Sequence, residues 1–117
     1  MSRTGSDATL FLRRSADIER AKRSRRRVSL PQFNMVVAPG SDGGTQIAVI
    51  VGRKFGPATS RNRAKRRVRA LARAVESRLQ PQFHVLVFPK VPMLSQPYPA
   101  LTALWEGALT REGLLRA

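Results

Sequence analysis

Residues 60–69 read SRNRAKRRVR, and six of these ten are Arg or Lys. They open a long helical pattern that runs to about Leu79, with Pro81 preventing much further extension. At about 100° per residue, the apolar side chains of this pattern fall on one arc of the helix. The predicted helix therefore packs on a core by one face and presents its charge on the other. The apolar arc consists of Ala64, Val68, Leu71, Ala72, Val75 and Leu79.

The opposite face of the predicted helix is a cationic strip that contains one amide side chain. Like charges at i, i+4 destabilise a helix by about 0.2 to 0.5 kcal/mol per pair, and cations at its start oppose the helix dipole. This arrangement is unfavourable until an anion binds, when helix amides and guanidinium groups contact the same phosphate or carboxylate. Asn62, Arg66, Arg69 and Arg73 form the strip, Lys65, Arg63 and Arg67 flank it, and Arg61, Arg63 and Lys65 crowd the helix start.

The chain as a whole is strongly basic and has enough apolar residues for one core. Its 117 residues include 22 Lys and Arg against 7 Asp and Glu, which gives a formal net charge of +15, and 42% are hydrophobic. At this length we expect one domain, residues 9–117, preceded by a disordered N-terminus, residues 1–8. The charge exceeds what solubility requires, so the expected partner is a polyanion.

The sequence also argues against several classes of protein. It has no cysteine, and therefore no disulfide framework and no thiolate metal site. Its longest apolar run, residues 83–88, is far shorter than the roughly 20 residues that span a bilayer. The start of the chain, MSRTGSDATL, lacks the apolar segment of a signal peptide. We therefore expect a cytoplasmic protein with no membrane partner.

Before the long helix, the sequence predicts a helix followed by two or three strands. Residues 10–22 have approximate helical spacing, with Ser15 as the N-cap. The alternating residues 33–38 and the β-branched run 46–51 predict strands. A glycine-rich turn, residues 40–44, joins these two strands, so we expect them to pair as an antiparallel hairpin.

After the long helix, the sequence predicts one more strand and a final amphipathic helix. Residues 83–88, FHVLVF, are apolar almost throughout, as expected of a strand covered on both faces. The fold class is therefore α+β, a single small sandwich of a mixed, mainly antiparallel sheet of about four strands with helices packed on it, in αβββαβα order. The apolar stripe of the final helix consists of Leu101, Leu104, Trp105 and Ala108.

No set of residues in the sequence is arranged for catalysis by the protein itself. The only histidine, His84, lies within an apolar strand and has no obvious carboxylate partner. The seven acids are scattered and offer no paired carboxylates for acid–base chemistry or for a metal ion. We expect no catalytic residue, no metal ligand and no cofactor held by the protein, which argues against a protein-only nuclease.

Two basic clusters, residues 20–27 and 61–69, indicate nucleic-acid binding rather than an ordinary solvated charge run. Arg predominates over Lys in both clusters, which suits bidentate phosphate contacts and stacking on unpaired bases. RNA is therefore favoured over duplex DNA. Composition alone is equally compatible with a small ribosomal or RNA-scaffolding protein.

Residues 51–69, VGRKFGPATSRNRAKRRVR, resemble the signature of the protein subunit of bacterial ribonuclease P. In that family a strand ends in a small residue and a basic pair, and a Gly and a turn then lead to Arg-Asn-Arg-x-Lys-Arg at the start of a helix. Chain length and element order also agree, so the resemblance covers nearly the whole chain. The matching residues are Gly52, Arg53, Lys54, Gly56, Arg61, Asn62, Arg63, Lys65 and Arg66.

The resemblance implies a protein that binds a large catalytic RNA and helps it to remove the 5′ leader from precursor tRNA. It implies that the RNA and its magnesium ions carry out the hydrolysis, and that the protein is a monomer in the complex. It also implies a rare left-handed crossover for the strand, helix and strand of residues 46–88, against the general right-handed rule. On this basis the RNA-binding residues are Arg53, Lys54, Arg61, Asn62, Arg63, Lys65, Arg66, Arg67, Arg69 and Arg73.

The resemblance further implies that the single-stranded leader binds between the sheet and the first helix, where aromatic side chains stack on bases. This chain differs there, since it has Ile18 and Lys22 where the family has aromatic residues. Phe33 is the remaining aromatic candidate, and its alternative role is that of a core residue. We expect leader binding to depend more on charge, and so steeply on salt. The charged candidates are Arg13, Arg14, Lys22 and Arg53.

Overall fold

The computed structural model describes residues 10–40 and 43–116. The predicted disordered segment, residues 1–8, lies outside them. The described elements follow the predicted order, with a short helix added before the last one, and none of their helices is long and apolar enough to cross a membrane. The elements are α1 (Ser15–Ala21), β1 (Arg26–Ser29), β2 (Phe33–Pro39), β3 (Gln46–Val49), α2 (Ala58–Val75), β4 (Phe83–Pro89), α3 (Pro92–Ser95) and α4 (Tyr98–Arg111).

The strands form one mixed sheet in the order β1-β2-β4-β3, which confirms the predicted fold class. β2 is antiparallel to both β1 and β4, and β3 runs parallel to β4. The Leu12 amide donates a 2.9 Å hydrogen bond to the Ile47 carbonyl, so the chain before α1 covers part of the β3 edge. α2 connects the parallel pair β3 and β4, as the expected crossover requires, and the left-handed sense of that crossover stays a prediction.

The predicted hairpin of β2 with β3 is wrong, because β4 lies between these two strands. Val85, Leu86 and Val87 of β4 are all 0% exposed, and a strand buried on both faces belongs in the interior of a sheet. β3 is only four residues long and occupies the edge. β2 instead forms its hairpin with β1, in which Val28 pairs with Met35.

One face of the sheet packs against α2 and α4. Strand alternation places Phe33, Met35 and Val37 of β2 on this face. Trp105 of α4 packs in the same cluster, and its Nε1 donates a 3.1 Å hydrogen bond to the Leu71 carbonyl. Every residue of the apolar arc predicted for the long helix is at most 6% exposed, so the predicted core face is confirmed.

The other face of the sheet is covered by α1 only in part. Val36 and Leu86 are buried there in a cluster with Ala21 of α1. Ile50 and Phe88 pack against the same cluster but stay partly exposed. A helix of seven residues is too short to cover the whole face, so part of it remains open to solvent.

Two predicted helix boundaries differ from the structure. α1 begins at Ser15, but its N-cap is the extended residue Arg14 and no side chain caps the helix, so the predicted Ser15 N-cap is wrong. α2 ends at Val75 rather than near Leu79, because the 3₁₀ turn Glu76–Arg78 follows it. Leu79 is still buried, since the apolar periodicity continues through this tighter turn.

Candidate nucleic-acid interface

The start of α2 presents a group of cations to solvent. The helix begins after Pro57, no side chain caps it, and its first turn contains no acidic residue. The first amides of a helix lack intrahelical partners and carry the positive end of its dipole. In the described part of the chain, no side-chain hydrogen bond or ion pair engages the cations here, so their donors are available to an anion. We call Arg61, Asn62, Arg63, Lys65 and Arg66 the α2 start cluster, in which Asn62, Arg63 and Arg66 are exposed and Arg61 and Lys65 are half-buried.

A tight turn places two more cations directly before α2. Arg53 and Lys54 are exposed within the 3₁₀ turn Arg53–Phe55. Gly56 follows with a φ of 149°, a backbone conformation that side chains with a Cβ disfavour. An added Cβ would lie 3.7 Å from the Ser60 Cβ, an ordinary contact, so the requirement for glycine is torsional rather than steric. The predicted basic pair is therefore exposed beside the α2 start cluster.

Arg67 is half-buried and contacts the protein rather than lying fully exposed with its neighbours, and its role in RNA binding stays a prediction. Its Nη1 donates hydrogen bonds to the carbonyls of Met93 at 3.2 Å and Gln96 at 2.7 Å. These bonds attach the segment around α3 to α2. Arg67 therefore shapes the surface next to the α2 start cluster, with part of its donor capacity already used.

Farther along α2, Arg69 and Arg73 lie beside the ring of Phe11. Their guanidinium carbons are 6.0 Å and 5.5 Å from the ring centre, within the range of cation–π attraction. Both side chains remain exposed, so the attraction orients the charges without removing them from the surface. The cationic strip of α2 thus extends to the chain that precedes α1.

The charged residues predicted to bind the leader lie around α1. Arg13 and Arg14 are exposed before it, and half-buried Lys22 follows it. The Lys22 Nζ lies 3.1 Å from the Glu19 carboxylate, and the Arg14 Nε lies 3.8 Å from that of Asp17. Ion pairs this exposed are worth about 1 kcal/mol or less, so a nucleic-acid phosphate can replace these carboxylates.

Phe33 cannot stack on a base, and this corrects its predicted role as a leader-binding candidate. It is 0% exposed, and its ring meets that of Trp105 edge-on at 5.8 Å between centroids. The physical reason is strand alternation, which places Phe33 on the sheet face that α2 and α4 cover. Phe33 is a core residue.

A groove of about 310 Å³ lies on the opposite, α1-covered face of the sheet. Phe88 of β4 is a half-buried aromatic residue in this groove, and the sequence analysis missed it because β4 was predicted to be covered on both faces. Asn34, a polar residue in an apolar strand, pairs with Phe88 across the sheet, but no signal of this pairing was available in the sequence because β2 was expected to pair with β3. The groove is lined by Arg27, Val28, Ser29, Asn34, Met35, Val36 and Phe88.

His84 is packed into the fold. It is 5% exposed, and a Cβ added to Gly40 would come within 2.8 Å of its imidazole Cδ2. Across residues 10–40 and 43–116, no three His, Cys, Asp or Glu side chains are grouped as metal ligands would be. The features that the described surface does present are unpaired cations and a half-exposed aromatic ring, which are the contacts that nucleic acids use.

Comparison with known proteins gives one family. The sequence model of the family described as Ribonuclease P matches residues 7–113. The ribonuclease P protein component of Symbiobacterium thermophilum is 36% identical over 72 residues. The matched region is 62% of this chain and 63% of that protein, so it spans less than two thirds of the relative. The protein of the same name from Chloroflexus aggregans is 34% identical over 93 residues, 79% of this chain and 69% of that protein.

Solved structures of RNase P proteins have the same fold. A mutant RNase P protein from Staphylococcus aureus superimposes with a TM-score of 0.84. The superposition covers 97% of this chain and 96% of that one, at 17% sequence identity. At this identity the likeness concerns the fold alone.

Proposed function

The chain belongs to the ribonuclease P protein family, and we propose that it is the RNA-binding component of this ribonucleoprotein, which removes the 5′ leader from precursor tRNA. In this proposal it acts in the cytoplasm, as one copy bound to a catalytic RNA. The observation that carries the proposal is the α2 start cluster, four cations and one amide side chain at the positive end of a helix, whose cations have no partner among the described residues.

The α2 start cluster supports docking on a folded RNA. Each charge-assisted hydrogen bond to a phosphate contributes about 1.5 to 3 kcal/mol, and the exposed helix amides add to this attraction. Arg53 and Lys54 in the preceding turn, and Arg69 and Arg73 farther along α2, extend the contact in both directions. When RNA docks on this surface, its phosphates reduce the repulsion between the like charges along the helix. Contact at one cation of the strip therefore favours contact at the others.

The α1-covered face of the sheet supports a second site, which binds the single-stranded leader. Arg13, Arg14 and Lys22 supply cations around α1, and Phe88 supplies a ring on which an unpaired base stacks. Phe88 thus takes the stacking role first proposed for Phe33. Since this site and the α2 start cluster lie on different faces of the protein, the catalytic RNA and the leader bind at the same time.

The chemical step in this proposal belongs to the RNA partner and its magnesium ions. The described acids are used mainly in ion pairs with Arg and Lys, as Asp17 and Glu112 are, and none is grouped for binding a metal. The protein contributes by binding and orienting the two RNA molecules and by reducing the repulsion between their phosphates.

Reconstitution at limiting magnesium tests this function. The purified protein is added to the catalytic RNA from the same cell, and the release of the 5′ leader from precursor tRNA is measured. We expect faster cleavage with the protein than without it, because at low magnesium the cations of the protein replace missing counterions. The protein alone is expected to release no leader.

The controls separate this function from its two alternatives. Equal cleavage with and without the protein would contradict the proposal. Cleavage that persists after all RNA has been removed from the protein would indicate a protein-only nuclease. Recovery of ribosomal RNA rather than one free RNA with protein isolated from its own cell would favour a ribosomal or scaffolding role.

A further inference from the structure

A shallow depression of about 330 Å³ lies between α2 and the start of α4. It contains Tyr98, the only tyrosine of the chain, which is 40% exposed. Among the described residues only Val91 is another large apolar side chain as exposed as this. The depression lies on the α2 and α4 side of the sheet, opposite the groove of Phe88. We call it the Tyr98 pocket, and Arg63, Arg66, Arg67, Ala70 and Tyr98 line it.

The backbone that carries Tyr98 is held in place before any ligand binds. Tyr98 is the first residue of α4 and lies between Pro97, the N-cap, and Pro99, which restrict the backbone on both sides. Arg67 donates a 2.7 Å hydrogen bond to the carbonyl of Gln96, two residues before the tyrosine, and so ties this segment to α2. A tyrosine ring on a fixed backbone has few torsions to lose, so it offers contact area at a low entropic cost.

The charges around the ring select the chemistry of the ligand. Arg63 and Arg66 are exposed, and within the described chain neither side chain makes a hydrogen bond or an ion pair. No acidic residue lines the pocket. An apolar partner would desolvate these guanidinium groups without replacing their hydrogen bonds, whereas an RNA strand supplies phosphates for them and a base for the ring.

We propose that the Tyr98 pocket receives one unstacked nucleotide of the catalytic RNA. The base stacks on the Tyr98 ring, and Arg63 and Arg66 contact the phosphates on either side of it. An RNA helix cannot fill the pocket in this way, because its bases are already stacked on one another. The inference rests on the proposed function, since it names a contact within the same RNA complex, and it adds an aromatic contact to a surface otherwise made of charge.

The test is the affinity of three single variants for the catalytic RNA from the same cell. Removal of a stacking ring costs about 1 to 3 kcal/mol of binding free energy per base. Tyr98→Ala is therefore expected to raise Kd by roughly 5- to 150-fold. Tyr98→Phe keeps the ring and is expected to stay within about twofold of the parent. Val91→Ala removes the other exposed apolar side chain, outside the pocket, and is the matched control, with no expected change.

The dependence of Kd on salt separates the ring from the arginines. Arg66→Gln removes a phosphate contact. The decrease of the log of the association constant with log salt is therefore expected to become less steep, by roughly 0.7 to 0.9 in slope. Tyr98→Ala is expected to shift the whole line and keep its slope, because stacking releases no counterions. The thermal midpoint of each variant establishes that it is folded at the temperature of the assay.

Two results would overturn this inference. If Tyr98→Ala binds as tightly as Val91→Ala, while removal of Arg61 and Arg63 together weakens binding, the pocket is empty and the proposed function still stands. If Tyr98→Phe loses as much affinity as Tyr98→Ala, the hydroxyl and not the ring makes the contact, and stacking is refuted. Failure of the proposed function looks different, because the parent protein would then bind the catalytic RNA no better than an unrelated folded RNA.

Discussion

The two basic clusters of the chain have similar compositions but differ in how many of their charges the protein itself uses. In the first cluster, residues 20–27, Arg20 lies 3.0 Å from Asp17, and Arg26 Nε lies 2.8 Å from the Glu112 carboxylate. Arg27 donates hydrogen bonds to the backbone, including one of 2.6 Å to the Lys22 carbonyl. In the second cluster, residues 61–69, Arg67 alone makes such hydrogen bonds within the described residues, to the carbonyls of Met93 and Gln96, and the cations of the α2 start cluster make none.

This difference shows that charge density in a sequence does not by itself tell which cations contact other parts of the protein. Arg26 connects β1 to the end of α4 through Glu112, and its guanidinium also lies 5.5 Å from the centre of the Phe83 ring. It therefore contributes to the fold as well as to the surface. A binding surface is better recognised from cations that lack protein partners, and the start of α2 meets that criterion.

Removing two cations from the α2 start cluster should have the largest effect on RNA binding. Arg61→Ala combined with Arg63→Ala is expected to weaken binding to the catalytic RNA by about 3 to 6 kcal/mol, because each lost charge-assisted hydrogen bond costs about 1.5 to 3 kcal/mol. The thermal midpoint should not fall, since neither side chain makes a hydrogen bond or an ion pair with the described residues. Filter binding or fluorescence anisotropy measures the affinity, and calorimetry measures the midpoint.

Val68→Ala is the control on the opposite face of the same helix. Val68 is 0% exposed, so its truncation leaves a cavity and is expected to lower the free energy of unfolding by about 2 kcal/mol. RNA affinity measured below the midpoint should be unchanged. If both variants lost only stability and kept full affinity, the assignment of the two faces of α2 would be wrong.

The groove beside the first cluster should show an intermediate effect that is specific to the leader. Phe88→Ala is expected to weaken binding of precursor tRNA to the complex by about 1 to 3 kcal/mol, the value of one stacked base. Binding of tRNA that lacks the leader should not change, because only the leader reaches this groove. Equal losses for the two substrates would remove Phe88 from the leader site.

Breaking the ion pair of the first cluster should have the smallest effect, and mainly on stability. Arg26→Ala is expected to lower the free energy of unfolding by about 0.5 to 1 kcal/mol, the range of a partly exposed pair. Its effect on affinity for the catalytic RNA should be smaller than that of Arg63→Ala alone. A larger loss of affinity for Arg26→Ala would show that the two clusters bind the RNA equally, and the contrast between them would fail.

The parts of the fold that follow from local periodicity were predictable from the sequence. The apolar arc of α2 was assigned residue by residue, because a spacing of 3.6 residues determines which side chains share a face. The predicted order of helices and strands was also confirmed. The end of α2 was placed too late, because a 3₁₀ turn continues to bury Leu79 after the helix has ended.

The pairing of strands and the covering of sheet faces were not predictable in the same way. Because β2 and β3 are consecutive in the sequence, a hairpin between them was expected. In the structure the apolar strand β4 lies between these two strands. Phe33 and Phe88 both lie on strands. The alternation of side chains along a strand shows which residues share a face of the sheet, but not which face the helices cover. Which face the larger helices cover depends on packing, and that packing buries Phe33 and leaves Phe88 half exposed.

The sequence by itself determined the fold class, the core face of α2 and the position of an excess of cations at the start of that helix. The tertiary structure alone decided which basic side chains are already bound to other parts of the protein and which aromatic rings remain exposed to solvent. The reason is one of range along the chain. Periodicity acts between residues three or four positions apart, whereas Arg26 meets Glu112 across 86 positions and Arg67 meets Gln96 across 29.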